Sequence, residues 1–482
     1  MEKKYDVIII GSGIVGSLIA RYLSRYDLSI LVIEKETDVG MCPSSANSAI
    51  IHSGTDPKPG SLKAKLNAEG NKIWHALAPE LGIRFKKTGS YVMAVGDEEK
   101  KFLPGLLERA KQNNIPGVEI ISGAEFLRRE PLANPECSGA LYAPTAAVID
   151  PFGAVFAAAE NAVTNGVTYS FETEFLDFIA ENGVLKGIKT NKGDFYCKAA
   201  VNAAGLYSDE VASKAGDARG FSITPYKGSY FVFDAAKIVL NSVLFPVPGE
   251  TTKGILVSTT THGNVLIGPD KEPALSKEDS STTEEGLKKI LEGAKKLVPS
   301  IDVKNVIASY AGIRASGNTG DFVIEESKAL KGLINLMGID SPGLASAPAI
   351  ALEAVELVKL QIANCKLKLS WNPIRQPKVH FHMLSNAEKA ELVKKNPAYG
   401  RIVCRCEEIT EGEVLDAIHS PIPARTYDGI KRRTWLGTGR CQGAFDYPRV
   451  IQILAKELGI PVEKVSKKGK GSEIVFRKTK EI

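Results

Sequence analysis

No apolar run in the 482-residue sequence approaches the ~20 residues that a bilayer-spanning helix needs. The chain passes from Met-Glu-Lys-Lys straight into a β-branched stretch, without a signal-peptide pattern. These absences lead to the expectation of a cytoplasmic protein with no transmembrane span. Cysteine is sparse, and seven of them scattered over a long chain do not make a secreted disulfide framework. Neither sign of charge is in large excess. The net charge of +5 is accounted for by the last nineteen residues, Lys464 to Ile482, with seven basic and two acidic side chains. A basic stripe on a folded face is therefore not expected, and no nucleic-acid partner is expected either. Ordinary apolar (44%) and charged (24%) fractions exclude a disordered chain, and the length predicts about three domains.

What is present begins at the N-terminus. The run Tyr5 to Ile10 reads as a strand and is followed at once by Gly11-Ser12-Gly13-Ile14-Val15-Gly16. An apolar stripe at Ile14, Val15, Leu18, Ile19, Tyr22 and Leu23 reads as a helix, and Ser29 to Ile33 reads as a second strand ending at Glu34. In such a βαβ unit Gly11 permits the sharp turn, Gly13 lets the backbone approach a pyrophosphate, and Gly16 lets helix and strand pack. The pyrophosphate would sit at the positive helix end, and Glu34 would accept hydrogen bonds from ribose hydroxyls. The spacing alone does not choose between FAD and NAD.

Further strands are predicted at 199–202, 230–233, 265–267 and 333–337, with helices at 154–165, 350–362 and 386–395, so α and β alternate. Residues 366–399, with Trp371-Asn372-Pro373 and Pro377, read as a linker leaving the main body. A compact segment, 400–463, follows and carries Cys404, Cys406 and Cys441; the basic tail is 464–482. Cys42, Cys137, Cys197 and Cys365 lack ligand spacing and are expected to be ordinary buried thiols.

The opening motif, together with Asn47 to Gly54, Val148 to Pro151, Val201 to Asp209 and Ser341 to Leu344, resembles the FAD-dependent D-amino-acid oxidase superfamily. Within it the chain is similar to the branch of glycerol-3-phosphate dehydrogenases and L-2-hydroxyglutarate oxidases. The resemblance spans about residues 3 to 365 and implies a Rossmann-like FAD-binding domain (1–85, 150–215, 310–365) with an inserted mixed-sheet substrate domain (86–149, 216–309). It places Ile14, Lys35, Ser45, Asn47, Ser48, Ala204, Gly205, Gly312, Gly343, Leu344 and Ala345 along the cofactor. The overall expectation is an α/β protein with a small α-rich C-terminal domain.

That C-terminal segment, with Cys404-Arg405-Cys406 and Gly439-Arg440-Cys441-Gln442-Gly443, resembles the [2Fe-2S] domain related to bacterioferritin-associated ferredoxin. The family pattern holds four cysteines, and Asp446 stands where the fourth would be. A carboxylate is a harder iron ligand than thiolate. A [2Fe-2S] relay on Cys404, Cys406, Cys441 and Asp446, another metal on the same set, and a retained fold without metal all stay open.

Oxidising a secondary alcohol requires a hydride acceptor, a base and an anchor for an anionic substrate. His52 and His262 are the candidate bases, Arg314 is the candidate anion anchor, and Lys227 stands where relatives carry a basic residue; Tyr230 is a further candidate. The resemblance thus implies a dehydrogenase of a small anionic alcohol, glycerol 3-phosphate before L-2-hydroxyglutarate, passing electrons to a partner protein or quinone pool. An amino-acid or amine dehydrogenase and a non-enzymatic electron-transfer subunit are the alternatives. The basic tail is read as a solvated extension, with docking to an acidic partner or peripheral contact with anionic lipid as the other reading.

Overall fold

A computed structural model describes residues 3–217, 220–249, 254–363, 365–477 and 479–480. Its centre is a six-stranded sheet in the order 168–170, 30–33, 7–10, 199–202, 333–337, 323–326. The first five strands run parallel and the last is antiparallel. The inner strands are apolar on both faces because both are covered. Val7 and Ile9 enter a core shared with helices Ile14–Leu23, Pro151–Thr164 and Gly343–Gln361. Ile8 and Ile10 point the other way, onto the small antiparallel sheet of 175–181, 184–190 and 193–196.

Above the C-terminal ends of these strands lies a nine-stranded sheet with its own core, built around Phe126, Phe233, Val257 and Ile290. It is mixed: Val243–Pro246 runs parallel to Ser90–Val95, while the other pairings are antiparallel. Its longest pair joins Ile223–Phe233 to Val306–Gly317. The strand 306–317 crosses the boundary expected at 310, so the inserted sheet and the nucleotide-binding body share one continuous strand.

Residues 366–399, expected as a linker leaving the body, are fastened to it. Trp371 Nε1 donates to Ser24 Oγ at 3.0 Å, and Arg375 Nε pairs with the buried Glu160 at 2.6 Å. The C-terminal domain packs helices Glu411–Ile418, Tyr427–Thr434 and Tyr447–Leu458 around Leu436 and Leu454. The start of the tail, expected as a solvated extension, is packed instead: Val465 is buried in the C-terminal domain, Lys467 pairs with its Asp428, and Thr37 Oγ1 of the nucleotide-binding body donates to Lys468 O at 2.8 Å.

Candidate active site

One cavity of about 790 Å³ runs from the glycine turn to the underside of the inserted sheet. At its outer end Gly11 has φ +101°, and a Cβ there would lie 2.6 Å from Ala203 O; a Cβ on Gly16 would lie 2.1 Å from Gly11 O. The turn therefore excludes any side chain at these positions. Ser12 donates from N (2.9 Å) and Oγ (2.8 Å) to Glu34 Oε2, which fixes the carboxylate on the cavity wall. Burial raises the Glu34 pKa, and the bonds from Glu36 N and Ser12 oppose that shift.

Of the expected cofactor residues, Gly11, Gly13, Ile14, Glu34, Lys35, Asn47, Ser48, Ala204, Gly205, Gly312, Gly343 and Leu344 line the cavity. Gly16, Ser45 and Ala345 do not. Gly16 is buried under the turn, and Ala345 is covered by Gly70 of the helix Leu62–Glu80. The Ser45 hydroxyl turns back to Cys42 O at 3.0 Å, and Ser44 instead accepts from Ile14 N at 3.0 Å on the cavity wall. A short 3₁₀ turn, Pro43–Ser45, makes that one-residue difference. Cys42, expected to be a buried thiol, is exposed and faces the cavity.

His52 and Arg314 both line the cavity. Arg314 lies opposite Tyr226 in the strand pair, and its Nη2 donates to Asp270 O at 2.8 Å. Gly228 leaves it room, since a Cβ there would meet Arg314 Nη2 at 2.6 Å. Tyr230 also lines it and stacks on Tyr310 with centroids 4.8 Å apart, and Tyr310 OH donates to Asn47 O at 2.8 Å. Gly312 lets the 46–48 loop lie on the strand, because a Cβ there would be 1.9 Å from Ala46 O. The helix Gly343–Gln361 starts at the cavity and aims its positive end inward.

Two expected catalytic residues stand elsewhere. Lys227 projects from the opposite face of its strand, where it is buried against Asp279 Oδ2 and Ser281 Oγ, each 3.2 Å away. His262 packs against Trp435 of the C-terminal domain, with ring centroids 3.6 Å apart. Neither reaches the cavity wall.

In the C-terminal domain Cys406 Sγ and Cys441 Sγ are 3.5 Å apart near the surface, while Cys404 and Asp446 are each 1% exposed. Tyr427 OH donates to Asp446 Oδ1 at 2.5 Å, and Asp446 Oδ2 is buried with no hydrogen-bond partner. Burial pushes the Cys404 thiol up to about 11 and raises the Asp446 carboxyl. Among the described residues no three His, Cys, Asp or Glu side chains gather as for a single ion. A pair of sulfurs beside a thiol and an orphaned carboxylate oxygen does fit a two-iron cluster, in which each iron takes two protein ligands.

A glycine-turn nucleotide fold opening into a covered cavity with cationic lining defines a dinucleotide-dependent oxidoreductase. The chain belongs to the family of FAD dependent oxidoreductases, which residues 6–357 match, and residues 402–456 match the BFD-like [2Fe-2S] binding domain. It is 44% identical over 477 residues to a glycerol 3-phosphate dehydrogenase of Caloramator mitchellensis, with 99% of each chain covered. It is 36% identical over 385 residues to a glycerol 3-phosphate oxidase of Mycoplasma genitalium, covering 76% of this chain and 97% of that one. Among solved structures, dithionite-reduced L-alpha-glycerophosphate oxidase from Mycoplasma pneumoniae with FAD bound aligns at TM-score 0.74 and 32% identity, covering 78% of this chain and all (100%) of that one. The cavity fits FAD: its volume suits a large cofactor, and its glycine cradle would be filled by any Cβ.

Proposed function

We propose that the protein is an FAD-dependent dehydrogenase that oxidises sn-glycerol 3-phosphate to dihydroxyacetone phosphate. The observation that carries this reading is that His52 and Arg314 both line the cavity that begins at the glycine turn. The dehydrogenase relative covering the whole chain supports it.

Bound FAD supplies the hydride acceptor. The chain supplies the rest. Arg314, oriented by Asp270 O, offers a planar guanidinium to the substrate phosphate. Lys58, Lys271 and Lys289 also reach the cavity and make it attractive to a doubly charged group. His52 takes the hydroxyl proton on an imidazole nitrogen. The first turn of the helix Gly343–Gln361, with Leu344 on the cavity wall, would offer its positive end to negative charge on the bound group. Cys404, Cys406, Cys441 and Asp446 of the cysteine domain would hold a [2Fe-2S] cluster, which would supply a one-electron outlet to a partner protein.

L-2-hydroxyglutarate is the second reading, since the same guanidinium fork suits a carboxylate. Turnover with an artificial electron acceptor, tested on glycerol 3-phosphate, L-2-hydroxyglutarate, glycine and proline, separates these readings. No flavin bleaching by glycerol 3-phosphate would sink the first.

A further inference from the structure

The helix Leu62–Glu80 runs beneath the cavity, and only Lys63 of it reaches the wall. Its inward groups nevertheless hold two loops that both border the cavity, one at His52 and one at 340–345. Asn67 Nδ2 donates to His52 O at 2.7 Å, and Asn71 Nδ2 donates to the same carbonyl at 3.1 Å and to Thr145 O at 2.9 Å. Farther along the same face Trp74 Nε1 donates to Leu344 O at 2.9 Å. Gly70 lets the helix touch the Ala345 carbonyl, which a Cβ would approach to 2.2 Å. Lys63 pairs with Asp340 at 2.7 Å. One rigid element thus sets the distance between the His52 loop and the 340–345 loop.

Asn67 stands out among these groups. It is fully buried (0% exposed), and its Oδ1 has no hydrogen-bond partner. An unpaired buried carboxamide oxygen costs stability, which a leucine of similar size would avoid. The Asn71 bond would still satisfy the His52 carbonyl. A polar side chain kept against folding stability is expected where it orients a functional group.

We propose that Asn67, seconded by Asn71, is a positioning residue: it fixes the backbone at His52 and so sets the imidazole at the height from which it takes the substrate hydroxyl proton. The proposal rests on the reading of His52 as the base. It is tested on the full-length flavoprotein with Asn67→Leu, His52→Ala and the double variant, following kcat, KM, flavin absorbance and melting temperature with glycerol 3-phosphate and an artificial acceptor. Asn67→Leu should keep its flavin and its melting temperature while kcat falls about 10- to 100-fold, the scale of a misplacement near 1 Å. KM should stay within about threefold, because the anion anchor is untouched. In the His52→Ala background the same substitution should change kcat by less than about twofold. An unchanged kcat in Asn67→Leu, or an equal loss in both backgrounds, would overturn the proposal. Full kcat in His52→Ala would instead overturn the base reading, and the positioning role with it. Should Asn67→Leu fail to fold, the smaller Asn67→Ala gives the same comparison.

Discussion

The indole of Trp435 lies against the imidazole of His262, ring centroids 3.6 Å apart, and its Nε1 donates to Asp150 Oδ2 at 3.2 Å. Asp150 caps the helix Pro151–Thr164 through Gly153 N, and Phe152 packs near the indole with ring centroids 5.2 Å apart. One side chain of the cysteine domain therefore touches both the inserted sheet and the nucleotide-binding body. Trp435 itself sits at φ +66° as the last cap of its helix, a conformation that favours glycine.

This strain and this packing oppose each other, so substitutions separate them. Trp435→Gly relieves the backbone and should leave the helix Tyr427–Thr434 intact, yet it removes the wedge. Limited proteolysis near residues 366–399 should become faster in Trp435→Gly than in wild type, while flavin content stays the same. Unchanged proteolysis would mean the wedge does not hold the domain.

A second clasp is ionic. Asp38 receives Arg433 Nη1 at 2.6 Å, Arg433 Nη2 at 2.8 Å and Arg432 Nη2 at 3.0 Å, all in buried surroundings. Burial alone would raise the Asp38 carboxyl, but the guanidinium groups of Arg433 and Arg432 hold it below its ordinary value. Removing Arg433 takes away two of the three bonds and leaves the buried Asp38 with Arg432 alone, a weakened pair that costs part of what a broken buried pair does. Arg433→Ala should therefore lower the melting temperature markedly, whereas Lys65→Ala, which breaks the exposed pair with Glu353, should not move it.

Much of this was legible in the sequence where local chemistry decides. Gly11, Gly16 and Glu34 declared the nucleotide turn because steric and strand-period rules act within a few residues. The helix Leu62–Glu80 was not legible: its buried face carries Asn67, Gly70 and Asn71 amid lysines, so no apolar stripe betrays it. The strand Val306–Gly317 is not legible either, since its alanines and glycines lack a β-branched run and only pairing with Ile223–Phe233 orders it. His262 could not be placed from sequence, because docking of a separate domain decides what surrounds it. Lys227 lies elsewhere for a simpler reason, as strand parity turns it to the face opposite Arg314 and away from the cavity.

The domain junction should respond to acid. Burial first, then the Arg84 and His382 cations, pushes His380 down to about 3; burial likewise lowers His262 and His382. Between pH ~6.5 and that depressed value the unfolded chain binds protons that the folded one does not, so stability falls as pH drops through this window. Glu407, beside Arg84, has its own carboxyl raised by burial, so it favours the folded state as pH falls and offsets part of the histidine loss; the three histidines outnumber it. The melting temperature should fall between pH 7 and pH 5, and His380→Phe should flatten part of that slope. A slope identical in the variant would remove His380 from the account.

Arg314 offers a direct test of the anion site. Its Nη2 is held by a backbone carbonyl, not by a carboxylate, so its charge stays available to substrate. Arg314→Ala should reduce kcat/KM for glycerol 3-phosphate by about 10² or more, with uncharged glycerol affected far less. Arg314→Lys should recover only a part, because a point ammonium cannot reproduce the fork. Equal losses for charged and uncharged substrates would show a structural role instead.

Asp446 tests the cysteine domain. Its Oδ1 is tied by Tyr427, its Oδ2 is buried, and Cys404 is beside it. A buried carboxylate whose second oxygen meets only the weak donor of the Cys404 thiol, with Lys431 as its nearest cation, would be better satisfied by iron. Protein purified without oxygen should carry iron and acid-labile sulfide. Asp446→Cys should keep both and shift the visible spectrum towards that of an all-thiolate cluster, whereas Asp446→Ala should lose iron within hours of exposure to air. Tyr427→Phe should weaken retention less than Asp446→Ala, because it frees the carboxylate without removing it. Iron content equal in wild type and Asp446→Ala would show that the carboxylate holds no metal.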